Sequence, residues 1–375
     1  MSGFVFSEKP IGIDRGEDVY LYAKNGTEYL DFGASYACAP VGHCHPEVVE
    51  ATTEQVERLM YVQASYPNAA RTALYDQLAD LAPGDIDNVW LCNSGTEANE
   101  AALKFSRHAT GRSKIVATMQ GFHGRTMGSL ATTWKQKYKD GFGPLAGDVE
   151  FVPYGDADEM REAVDEETAA VVLEPVQGEG GVNPASSAYL QAVREATDEA
   201  GAAMILDEIQ TGLGRTGSLW AADAHGVVPD VLTTAKGLGS GLPIGATLVK
   251  DWIAEDCGNH GSTFSGGPVA TAAAGATLDV LTREGLPGHA AAIGEYLVGE
   301  LESALGHAVR EVRGEGLMVG VEVKRGANPI LRDLAMDHQV LALPAGRSVV
   351  RLLPPLTVER EHVDAVVDAL EDVIA

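Results

Sequence analysis

The segment Asp230–Gly239 reads DVLTTAKGLG. Val231–Thr234 is a β-branched, apolar run of the length of a buried strand, and it leads to Lys236, with glycines at 237 and 239. An ammonium is costly to bury, so burial pushes a lysine toward the neutral amine, and a neutral amine is a nucleophile. Glycines beside it let a ligand approach the backbone. One reading makes Lys236 the residue that holds an aldehyde cofactor as a Schiff base. The other makes it a solvated lysine at a strand end. The surrounding segments decide between them.

Four more runs have the same apolar character: SKIVATM (113–119), VEFVPY (149–154), AAVVLEP (169–175) and AAMILDE (202–208). NVWLCNSGTEANEAALKFSRHATG (88–111) passes from strand to turn to helix, and helical patterns at 156–167 and 187–201 separate later strands. Strands alternating with helices predict parallel βαβ units with right-handed crossovers, hence an α/β fold around a mainly parallel central sheet. Ahead of them, residues 17–32 predict two strands turned at Lys24-Asn25-Gly26. Helices are expected after Pro46 and over 71–82, the second closed by Pro83-Gly84. From about residue 284 the order becomes a helix (290–305), strands within 309–324 and a last helix after Val358, a smaller α+β lobe. The expected division is an N-terminal segment 1–45 packing with the small lobe, a large domain 46–283 and a small domain 284–375.

The 375 residues carry 54 Asp+Glu against 27 Lys+Arg, a net charge of −27 with acids spread along the whole chain. That argues against nucleic acid, which needs basic patches, and suits a solvated acidic shell such as a high-salt cytoplasm favours. The first ten residues show no signal peptide, and no apolar run reaches the roughly 20 residues of a membrane helix. Cysteines 38, 44, 92 and 257 form no CxxC pair, which fits reduced thiols in a cytoplasmic protein. His43-Cys44-His45 is too compact to close a tetrahedral metal site alone, so it is read as a turn before a helix, with no metal expected.

Several turns carry chemistry. Ser94-Gly95-Thr96 opens a helix, where bare backbone N–H groups make an anion site or a plain N-cap. Phe122 and Arg125, in FHGRT, offer a stacking ring and a carboxylate-binding fork, or a core aromatic and a surface arginine. Asp207 ends a buried strand with Glu208 and Gln210 beside it, and a carboxylate there needs a cationic partner such as a pyridinium nitrogen. Asp207 and Lys236 could face one crevice beyond the strand ends. Glu174 and Glu179, in LEPVQGEGGV, form a second carboxylate pair of a spacing open to acid–base work. Ser262-Thr263 lies in a Gly-rich polar turn, and Arg351 sits unexplained on an apolar strand. The P-loop GxxxxGK[ST] is absent and no Rossmann GxGxxG follows the first strand, which disfavours a nucleotide triphosphate and a nicotinamide dehydrogenase.

In order, GHCHP, NSGTEANEAALKF, GFHGRT, EPVQGEGG, LDEIQTGLGRTG, TAKGLG, GSTFSGGP and RLLPPL resemble class III (ornithine-type) pyridoxal-phosphate aminotransferases of fold type I, over nearly the whole chain. Within the class the chain resembles acetylornithine aminotransferases. It is closer to the branch acting on substrates attached to the amino-group carrier protein LysW in arginine and lysine biosynthesis. The resemblance implies pyridoxal 5'-phosphate as cofactor, Lys236 as its covalent anchor, Asp207 at the ring nitrogen and Gln210 at the ring hydroxyl. Gly95 and Thr96 would hold the phosphate, and Phe122 would stack on the ring. Thr263 would reach the phosphate of a neighbouring subunit, which implies a homodimer, with Ser262 near substrate. Arg125 and Arg351 would take substrate carboxylates, and Glu179 would mask Arg351 until glutamate or 2-oxoglutarate enters. The tyrosine by which ornithine enzymes bind substrate has no match in Phe4 or Phe6, which argues against free ornithine. An aminomutase and a non-catalytic ligand-binding regulator are the rival readings. Lys135, Lys137 and Lys139 form a local basic cluster that could receive an acidic carrier protein, or else a solvated helix face.

Overall fold

A computed structural model describes residue 5 and residues 9–374; Phe4 and Phe6 lie outside the described residues. The apolar runs pair into a seven-stranded sheet in the order Asn88–Cys92, Gly245–Val249, Val231–Thr234, Ala203–Asp207, Thr168–Leu173, Lys114–Thr118, Asp148–Val152. Three adjacent members, Thr168–Leu173, Ala203–Asp207 and Val231–Thr234, are buried at every residue, as strands covered on both faces must be. Only Gly245–Val249 runs antiparallel to its neighbours, so six strands end on one edge. The helix Gly95–Thr110 packs on the sheet, burying an alanine-rich face with Leu103 and Phe105.

Residues 286–374 build the second lobe. Its antiparallel sheet runs Val309–Glu315, Met318–Val323, Val349–Leu352, Leu343–Ala345, packed under the helices Leu286–Leu305 and Arg360–Ile374. A further small sheet joins Ile13–Glu17, Tyr20–Ala23 and Glu28–Asp31 to Val340–Leu341. The hairpin expected at Lys24–Gly26 is present, with Tyr20 opposite Leu30. Arg215, fully buried, bolts the two lobes together by donating to the carbonyls of Leu317 (2.9 Å) and Pro354 (2.6 Å). Among the described residues no helix is long and apolar enough to cross a membrane.

Of the strands that escape the sequence reading, two show why. Ile13–Glu17 (IDRGE) is mostly exposed and has no apolar alternation. Gly245–Val249 (GATLV) is wholly buried but opens on two small residues, and its sheet neighbours supply the apolar contacts that its sequence does not advertise.

Candidate active site

The ends of the parallel strands converge on a cavity of about 310 Å³ lined by Gly95, Thr96, Phe122, Arg125, Glu179, Asp207, Gln210 and Lys236, among others. Lys236 follows its strand in the left-handed region (φ 40°), an unusual setting for a side-chain-bearing residue. Its Nζ makes no hydrogen bond among the described residues, and burial holds its pKa below the ordinary lysine value, against the pull of Glu179 and Asp207. Asp207, on the adjacent strand, is locked in place. One carboxylate oxygen accepts from Asn99 Nδ2 (2.8 Å) and His123 Nδ1 (2.7 Å), the other from the Ile209 amide (3.1 Å). His123 is buried; burial works against its proton, but the bond to Asp207 prevails and raises its pKa.

At the far end of the cavity, Ser94 caps the helix Gly95–Thr110 by accepting from the Glu97 amide, which leaves the Gly95 and Thr96 amides without acceptors among the described residues. A Cβ at Gly95 would press to 2.7 Å from the Ile209 side chain, so glycine lets the helix end pack against Ile209 without moving it. Phe122 forms one wall, and its amide donates to Glu174. Arg125, exposed at the mouth, lies 4.5 Å from the Tyr138 ring centroid. On the other side Arg351, with no exposed surface, donates to Glu179 Oε1 (2.6 Å) and Gln210 Oε1 (2.9 Å). Burial raises the pKa of Glu179, but Arg351, Lys236 and Lys135 outweigh it and hold it below the ordinary carboxylate value.

Two expectations change. Glu174 lines the cavity with Glu179, but it is held by backbone amides rather than free for acid–base work. Its two oxygens accept from the amides of Phe122 and Gly178 (both 3.0 Å), and burial pushes its pKa up to about 7. The basic cluster is not one face: Lys135 turns inward to the Glu179 carbonyl (2.6 Å), Lys139 reaches the Ala131 carbonyl, and only Lys137 of the three is exposed. Ser262 and Thr263 lie outside the cavity wall; Ser262 accepts from Asn93, and the exposed Thr263 takes the Tyr61 hydroxyl on its carbonyl. The histidines around Cys44 diverge. His43 bonds Asp31, whereas His45 lies near Glu47 and Glu284, with Glu47 already gripped by Arg283.

The sequence reading passed over three site residues. Asn99 sits one turn into the helix that opens at Gly95, a spacing that could have placed it beside Asp207. His123 lies inside the FHGRT motif between two residues that were assigned. Tyr36 belongs to a turn, Ala34–Ala37, whose four residues all have positive φ (39° to 65°), and its ring centroid is 5.8 Å from the Arg351 guanidinium carbon. No local pattern announces a left-handed run of non-glycine residues.

An unbonded amine, a locked carboxylate, an aromatic wall and open helix-terminal amides fit a planar, ring-nitrogen-bearing aldehyde with an anionic arm. The chain is 44% identical over 374 residues to "[LysW]-aminoadipate semialdehyde transaminase" of Deinococcus radiodurans, covering 99% of this chain and 87% of the relative. It is 43% identical over 367 residues to "Acetylornithine aminotransferase" of Methanosarcina mazei, covering 98% and 92%. Among solved structures, the ornithine aminotransferase of Toxoplasma gondii superposes with a TM-score of 0.95 at 32% identity, covering 99% of this chain and 91% of that one. The architecture is therefore that of fold type I, with the mainly parallel sheet in its large lobe. The family profile described as "Aminotransferase class-III" matches residues 6–374, and with these relatives it makes the chain a member of the class-III aminotransferases.

Proposed function

We propose that this enzyme uses pyridoxal 5'-phosphate to move an amino group between glutamate/2-oxoglutarate and the terminal carbon of a LysW-carrier-bound ornithine or lysine, in arginine or lysine biosynthesis. The observation that carries this reading is one cavity lined by both the unbonded Lys236 amine and Glu179, which pairs with the buried Arg351 behind the wall. When bound, the cofactor supplies an aldehyde for amines and a protonated ring that draws electrons from the neighbouring carbon.

Lys236 would hold that aldehyde, and its amine, freed from it, would move the proton at the substrate's terminal carbon. Its lowered pKa supports both tasks. Asp207, fixed by Asn99 and His123, would keep the ring nitrogen protonated. Gly95 and Thr96 would take the phosphate, Phe122 the ring face, and the Gln210 amide the ring hydroxyl while its oxygen accepts from Arg351. Glu179 neutralises Arg351 while an amine without an α-carboxylate at its reacting end is bound. Its departure exposes the guanidinium to 2-oxoglutarate. Arg125, exposed at the mouth, would receive a carboxylate of the blocked substrate.

We place Thr263 at the cofactor phosphate of a second copy, with Ser262 near substrate. Their position outside this chain's cavity and the exposed Tyr61–Phe264 pair (ring centroids 5.2 Å apart) support a homodimer. The division at residues 45 and 283 is part of the same reading, supported by the pairing of Glu28–Asp31 with Val340–Leu341. A cytoplasmic location accords with biosynthetic chemistry.

The resemblance to acetylornithine aminotransferases favours a second reading, in which acetyl replaces the carrier. Purified enzyme with 2-oxoglutarate and acetylornithine, ornithine, γ-aminobutyrate, carrier-bound ornithine or carrier-bound lysine decides between them by glutamate formation. The carrier-bound substrates are expected to give the highest kcat/KM. Preference for acetylornithine selects the second reading, and no glutamate from any of them refutes both.

A further inference from the structure

The turn that carries Glu179 is held by its backbone from several sides. Glu174 accepts from the Gly178 amide (3.0 Å), and Arg313 donates to the carbonyls of Gly181 (2.8 Å) and Val182 (2.9 Å). A Cβ at Gly180 would stand 2.7 Å from the Gln120 carbonyl oxygen, so the turn lies flat against a neighbouring loop. A backbone pinned in this way leaves the Glu179 carboxylate to move by side-chain rotation. When a substrate carboxylate takes Arg351, the displaced anion needs a new partner, because a buried unpaired carboxylate is expensive.

Lys135 stands at that point. Its Nζ donates to the carbonyl of Glu179 itself at 2.6 Å, and an ammonium has two more protons to give. Lys135 is half-buried, and burial holds its pKa below the ordinary lysine value while the charges of Glu179 and Glu174 pull it up. We propose that Lys135 is the positioning residue of the Glu179–Arg351 gate: it anchors the gate residue's carbonyl and receives its carboxylate when a substrate carboxylate displaces it from Arg351. The proposal rests on the gating role given above to Glu179. It moves Lys135 from a surface that greets a partner to the turn that carries Glu179.

The test uses the holoenzyme with Lys135→Met, which keeps the length without the charge, Lys135→Arg, which restores the cation, Glu179→Gln, and the Met/Gln double variant. Glutarate, a dicarboxylate that cannot react, serves as the binding probe by calorimetry, and the two half-reactions are followed separately. Lys135→Met is expected to raise the Kd for glutarate and the KM for 2-oxoglutarate about tenfold, the size of one charged hydrogen bond. The amine half-reaction should stay within about twofold, and Lys135→Arg should recover most of the loss. In the Glu179→Gln background Lys135→Met should add nothing, because no carboxylate remains to be received. Equal losses in both half-reactions, failure of the Arg variant to recover, or additive effects in the double variant overturn the proposal. If Glu179→Gln alone leaves the balance between amine and 2-oxoglutarate unchanged, the gating role itself fails, and the assignment of Lys135 falls with it.

Discussion

Two regions of one cavity are built in opposite ways. The chemical half stands on strand ends: Asp207 and Lys236 terminate neighbouring, fully buried strands in parallel register, and Asp207 has three donors holding its carboxylate. The selective half is assembled from turns: Glu179 from a four-residue helical turn, Arg351 from the small-lobe sheet, Tyr36 from a left-handed turn and Lys135 from a loop. In the first half, covalent spacing and sheet register fix the geometry. In the second, ion pairs between distant segments fix it, and a rearranging ion pair can switch. The contrast fits an aminotransferase, which performs one chemistry on two unlike substrates.

The contrast makes distinct predictions for the two halves. Lys236→Ala should remove the visible absorption of lysine-attached cofactor and lower kcat by at least about 10⁴-fold for every substrate. Retention of both would end the assignment. Asp207→Asn keeps the shape and removes the charge, and should lower kcat about 100-fold in both half-reactions alike, measured by stopped-flow absorbance. Arg351→Met should raise KM for 2-oxoglutarate about a hundredfold while leaving the amine half-reaction within a fewfold. If Arg351→Met slowed both halves equally, or Asp207→Asn slowed only one, the division between a chemical and a selective half would be wrong.

Legibility in the sequence follows the same line. The strand-end half is contiguous: an apolar run predicts each strand, and the polar residue at its end or just past it lines the cavity, so Asp207 and Lys236 could be placed without coordinates. Gly95, Thr96 and Phe122 were equally legible because helix starts and glycine turns have local signatures. Glu174 and Lys135 were misread because what a buried polar group does depends on which backbone atoms lie opposite, and those come from segments tens of residues away: Glu174 meets Phe122, and Lys135 meets Glu179. Tyr36 was missed because its placement rests on four positive φ angles, held by Asp31 accepting from the Gly33 amide (2.9 Å) and pairing with His43 (2.8 Å). Strand Gly245–Val249 was missed because an antiparallel return strand of small residues has no helix crossover to announce it.

The smallest predicted effect concerns the rigid half and reads its construction through pH. Glu208 follows Asp207 but turns the other way, into the protein, where it accepts from the amides of Ala221 (2.9 Å) and Ala222 (2.8 Å) and from the Thr211 hydroxyl (2.9 Å). Burial outweighs these bonds and pushes its pKa up to about 7 from 4.5. The folded state therefore keeps this proton after the unfolded chain has released it. The stabilisation is complete below pH 4.5 and is lost as pH rises through about 7. The full span is of order 3 kcal/mol by the conversion of pKa shift to free energy. Glu174, also pushed up to about 7 by burial, adds a fall over the same range, so Glu208 accounts for only part of the slope. Tm should fall between pH 5.5 and pH 8, and Glu208→Gln, which resembles the protonated side chain, should flatten that fall while kcat changes less than about threefold. Equal slopes in wild type and variant would show that the strand end bears no titrating strain, and a large fall in kcat would mean that Glu208 belongs to the chemistry rather than to the frame beneath it.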